Sequence, residues 1–281
     1  MFSIDKGAQM SFKTNIFLSF FSLFLFLYQT SLFAEGTEMS EEMKRGHFLK
    51  VDSSGALNGM EITDKVDGKP LHGYMSKPDG KGPFPSVIMI HEWWGLNKNI
   101  KEAADKLAKN GYVVLAVDLY KGKLATNPDE ANKFMGDVKK EEAMEILNSA
   151  YTWLKKYPAS KDGNIGTIGW CFGGGYSLQA GINLPKVDAV VIYYGLLETD
   201  YKILSKLKGP VLGIFANQDG WINTKMVNEF ETGLKEARVV HSINRYDADH
   251  AFANPSNPKY NQTAEADAWG KTLDFLKKNL K

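Results

Sequence analysis

Residues 164–175 read NIGTIGWCFGGG, and they contain the single cysteine of a chain of 281 residues. The apolar start of the stretch predicts a strand over 164–169, and the run after it predicts a helix over 174–183. Between them lies Gly-x-Cys-x-Gly, formed by Gly169, Cys171 and Gly173. A side chain set on so sharp a strand-to-helix turn stands clear of the sheet edge. Glycine on either side removes the Cβ atoms that would crowd the neighbouring strand and helix. The helix that follows directs its free N–H groups and the positive end of its dipole at Cys171, which favours thiolate and oxyanion alike.

Outward from this turn the chain repeats one theme. Short, continuously apolar runs at 86–90, 112–117, 187–193 and 210–215 read as strands buried on both faces, and 239–245 reads as another strand. Helical spacing appears at 100–110, 141–157, 224–237 and 263–279. Ahead of them, 61–65 and 70–76 form an expected hairpin with the turn signal Asp67-Gly68. Strands alternating with helices predict an α/β fold: one mainly parallel sheet with helices on both faces, in a single domain over 52–281.

In such a sheet the working side chains gather beyond the carboxyl ends of the strands. The run 210–215 is followed by a loop holding Asp219, and 239–245 by one holding His250. The order cysteine, acid, histidine is that of an α/β-hydrolase built on a nucleophile elbow. Asp247 and Asp249 compete with Asp219, although their closeness in sequence to His250 makes them less natural partners for it. After the run 86–90 comes His91-Glu92-Trp93-Trp94-Gly95, where the same architecture draws one oxyanion N–H. Trp93 is the expected donor there and Phe172 the second. The segment lacks the second histidine of a zinc-protease helix.

Several classes of function are excluded. A formal net charge of +1 leaves no basic footprint for nucleic acid. No Cys/His spacing of a metal site appears, and the glycines at 173–175 lack the lysine of a phosphate-binding loop. Neither a metal nor an organic cofactor is expected, and a monomer is expected. The segment 16–28 is apolar and uncharged, with Lys13 before it and Ala34 after it, the layout of a secretory leader. It is short for a stable membrane span. The reading is a signal peptide over 1–34 cut after Ala34, with Met1 or Met10 as the start, a flexible arm over 35–51, and an exported, periplasmic or secreted body.

Four stretches in order, HEWWGLN, IGWCFGGG, NQDGW and DADHAFAN, resemble the dienelactone hydrolase family from about Gly59 onward. The resemblance implies a Cys171 nucleophile, a His250 base and an Asp219 that orients it. It also implies that Glu92 contacts the resting thiol until substrate displaces it. A carboxylate there disfavours the thiolate and so shields a lone exported cysteine from oxidation. One departure stands out. Where dienelactone hydrolases hold the substrate carboxylate with arginines, this chain has Asn254, with Lys133 as a stand-in for another. Asparagine has neither the charge nor the bidentate grip of arginine. Trp94 and Trp221, beside the motifs, suit a flat or apolar substrate. The expected activity is hydrolysis of a small-molecule carboxylic ester or lactone. An exported thiol redox protein and a non-catalytic binding protein on the same scaffold are the alternatives.

Overall fold

Residues 56–280 are described in a computed structural model, and the leader and arm expected over 1–51 lie outside them. Two antiparallel strands open this part, β1 (Met60–Val66) and β2 (Lys69–Ser76). Asp67 and Gly68 join them with φ of 51° and 81°, the positive values that a tight hairpin turn demands. Six further strands follow: β3 (Phe84–Ile90), β4 (Val113–Val117), β5 (Ser160–Trp170), β6 (Ala189–Tyr193), β7 (Val211–Ala216) and β8 (His241–Tyr246). Among the described residues they form one 8-stranded sheet in the order β1-β2-β4-β3-β5-β6-β7-β8. β2 joins β4 antiparallel, and every pairing from β4 across to β8 is parallel.

Side chains alternate across a strand, and the sheet's apolar residues sort accordingly. Ile88 and Ile90 of β3 join one core, Val87 and Met89 the other. The first core is covered by α3 (Lys140–Lys156), α4 (Phe172–Asn183), the short α5 (Tyr201–Leu204) and α6 (Thr224–Glu236). The second lies under α1 (Lys98–Ala108) and α7 (Gln262–Asn279). Burial on both faces explains the unbroken apolar strands. No helix among the described residues is long and apolar enough to cross a membrane.

The structure differs from the sequence reading in two places that bear on the site. Helix α4 begins at Phe172, directly after the cysteine, rather than at 174. A further helix, α2 (Pro128–Asp137), fills a stretch for which the sequence reading proposed no element. Its start has strong local causes. The Asn127 side chain accepts from Glu130 N, Pro128 opens the first turn, and Glu130 reaches back to Thr126 N. Successive strands run outward from β3 to β4, then return to its other side as β5. The crevice at the carboxyl ends of β3 and β5 is therefore where the chain's winding reverses.

Candidate active site

Four loops converge beyond those carboxyl ends. Cys171 directly follows β5 with φ 53° and ψ −119°, a left-handed conformation that a side chain tolerates only when its surroundings impose it. Here they do. Cys171 N donates to Tyr193 O at 2.9 Å, while Cys171 O accepts from Gly174 N at 3.0 Å as α4 begins. A Cβ on Gly169 would lie 2.1 Å from Gly173 O, and one on Gly173 would lie 2.3 Å from Ile90 O. Both glycines are thus demanded by backbone packed against backbone.

The loop after β7 brings Asp219 under the loop after β8. His250 Nδ1 donates to Asp219 Oδ2 at 2.6 Å. The other carboxylate oxygen, Oδ1, accepts from Trp221 N at 2.8 Å and Ile222 N at 2.9 Å. Burial alone would raise the Asp219 carboxyl, but the hydrogen bond and charge of His250, with the two N–H groups, hold it below its ordinary value. For His250, burial disfavours the cation. The electrostatic pull of Cys171, with the hydrogen bond and charge of Asp219, outweighs that and holds the imidazole well above its usual value. His250 and Asp219 thus form a buried hydrogen-bonded pair, and Cys171 lies buried beside the same imidazole. Asp247 instead accepts from Gln218 Nε2, and Asp249 pairs with Lys259.

Glu92 is buried beside this cluster. Loss of water raises its carboxyl to about 7, against the opposing pull of the His250 charge and of a hydrogen bond from Asn254. Asn254 Nδ2 donates to Glu92 Oε2 at 2.5 Å, and Asn254 Oδ1 accepts from Asn99 Nδ2 at 3.1 Å and Ser256 N at 2.8 Å. The asparagine expected to meet substrate is in this structure the clamp on Glu92. Lys133 sits on α2, exposed and paired with Asp137 at 2.6 Å. Trp93 and Trp94 are buried with their rings 5.0 Å apart, packed with Ala125 and Ala131 against α2. Helix α2 therefore covers the loop that carries Trp93. Trp221 lies edge-on to His250 with ring centroids 5.6 Å apart. Phe172 opens α4, whose first N–H groups have no acceptor within the helix.

Two further residues shape the site. His91 is fully buried, and burial lowers its pKa. Its Nε2 accepts from Leu119 N at 3.1 Å, so Nδ1 carries the proton and donates to Glu92 O at 2.6 Å. The ring stacks on Phe172 at 5.8 Å, tying the loop after β3 to the start of α4. Tyr194, at φ 37°, packs its buried ring 5.1 Å from that of His250. The signal for His91 was its place directly after an apolar strand. Tyr194 carries the same signal, directly after the run 187–193, but its contact with His250 exists only in three dimensions.

The described residues carry a recognisable kinship. The model of the dienelactone hydrolase family matches residues 71–280. "Protein usf" of Aquifex pyrophilus is 32% identical over 231 residues, covering 79% of this chain and 99% of its own. A "Putative carboxymethylenebutenolidase" of Aquifex aeolicus is 30% identical over 232 residues, covering 79% of this chain and 100% of its own. Among solved structures, a "Putative Dienelactone Hydrolase" from Klebsiella pneumoniae superposes with a TM-score of 0.72 at 23% identity, over 79% of this chain and 99% of that one.

Proposed function

This chain belongs to the dienelactone hydrolase family, and from that premise we propose that it hydrolyses carboxylic esters or lactones with Cys171 as the nucleophile. The observation that carries the reading is the buried cluster of Cys171, His250 and Asp219, with His250 bonded to Asp219 and the cysteine at a left-handed apex. His250 Nε2 takes the thiol proton, and the sulfur attacks the substrate carbonyl carbon. The oxyanion rests on the N–H groups of Trp93 and Phe172 while Asp219 steadies the imidazolium. Collapse breaks the ester bond, His250 returns its proton to the leaving alkoxide, and a thioester remains. Water, deprotonated by His250, attacks the thioester and releases the acid and the thiol.

The substrate is a small molecule whose reacting part carries no carboxylate. Support comes from Asn254, which is neutral and already engaged by Glu92, and from Lys133, which is spent on Asp137. The protein acts after export. Support for that is the apolar segment 16–28 between Lys13 and Ala34.

Hydrolysis of aryl esters and lactones by the protein and its Cys171→Ala variant tests the catalytic reading. Turnover should vanish in the variant, and equal rates in both proteins would sink the thiol mechanism.

A further inference from the structure

A cavity of about 160 Å³ opens between α1 and α7 and reaches Glu92 and Asn254. Trp170 and Tyr193, at the ends of β5 and β6, line it together with Ala103 of α1 and Trp269 of α7. The Tyr193 hydroxyl is turned aside to Thr272 Oγ1 at 2.7 Å, and its ring lies 5.2 Å from that of Trp170. Trp170 directly precedes Cys171. Glu92 and Asn254 belong both to this cavity and to the catalytic cluster. Resting on the hydrolase reading above, we propose that the cavity receives the acyl arm of the substrate and that the arm is uncharged and about the size of one aromatic ring.

Size supports the first part, since an apolar cavity of about 150 Å³ is enough to take up benzene. Charge supports the second. Lys106 lines the cavity, but its ammonium pairs with Glu265 at 3.1 Å and lies 4.3 Å above the Trp269 ring. Glu102, also lining it, pairs with Lys98 at 2.8 Å. A carboxylate on the acyl arm would lose its water, while the lysine at hand is already held by Glu265. An uncharged ring gains the aromatic walls at no such cost.

Three 4-nitrophenyl esters with a common leaving group test this: the acetate, the phenylacetate and the 4-carboxyphenylacetate. The protein should prefer phenylacetate to acetate in kcat/KM by about tenfold or more, a usual reward for filling an apolar pocket. The carboxylated ester should fall well below phenylacetate. Ala103→Phe, and the milder Ala103→Leu should the first misfold, should lower the phenylacetate-to-acetate ratio about tenfold. The same variants should weaken binding of phenylacetamide, a neutral probe followed by calorimetry. Turnover with an unchanged ratio would overturn the cavity assignment and leave the hydrolase standing. Phenylacetamide binding that the variants abolish, without turnover of any ester, would uphold the cavity and overturn the hydrolase. Equal use of the carboxylated and plain arms would overturn the uncharged class, and neither binding nor turnover would overturn both readings.

Discussion

Burial raises the Glu92 carboxyl to about 7 because the Asn254 amide and the nearby His250 offset only part of the water it loses. This has a consequence for stability whose sign is definite. In the unfolded chain the group ionises near its ordinary 4.5. As pH rises from there toward 7, the unfolded state sheds a proton that the folded state keeps, so the protein loses stability through that window. Each pH unit between the two titrations is worth about 1.4 kcal/mol. Glu92→Gln retains an acceptor for Asn254 and removes the titration. Urea unfolding should therefore show the variant more stable than the parent at pH 8 by up to about 3 kcal/mol relative to the difference at pH 4.5. A gap independent of pH would show that Glu92 is not held protonated by burial. At this scale the sequence made the residues visible without revealing their partners. Asp219 and His250 stood out by lying after strands. That Asn254 meets Glu92 could not be read, because 162 positions separate them and only folding brings them to 2.5 Å.

Among the elements, β5 and α4 meet with almost no space, and their glycines are not alike. Gly173→Ala would drive a methyl into the carbonyls of Ile90 and His91, at 2.3 and 2.5 Å. Backbone cannot give way as a side chain can, so the cost should reach about 3 kcal/mol or more and esterase activity should fall with it. Gly270, exposed within α7, offers the opposite case, for an added Cβ there meets nothing within 4 Å. Gly270→Ala should raise stability by about 0.5–1 kcal/mol through helix propensity alone. Thermal unfolding of the two variants beside the parent checks both signs. The elements themselves were largely legible, since strands buried on both faces and amphipathic helices declare themselves by period. Helix α2 escaped because it is short and buries only Ala131 fully. Its capping residues Asn127, Pro128 and Glu130 were the available signal.

For the molecule as a whole, the leader reading makes a mass prediction. Intact-mass measurement of the protein recovered from outside the cytoplasm should find a chain beginning at Glu35, and retention of residues 1–34 would refute the cut after Ala34. The family match over 71–280 and the eight-stranded sheet agree with the α/β reading made from pattern alone. The sequence by itself determined the fold class, the strand-to-helix turn at Cys171 and the loops that carry Asp219 and His250. These rest on local periodicity, on glycine's freedom and on the rule that places loops at strand ends. Only the tertiary structure decided the order of strands about β3, the clamp of Asn254 on Glu92, the cover of α2 over the two tryptophans and the cavity between α1 and α7. Each is a contact between segments distant in the chain. Such contacts are set by which surfaces pack, and no local pattern of residues records that choice.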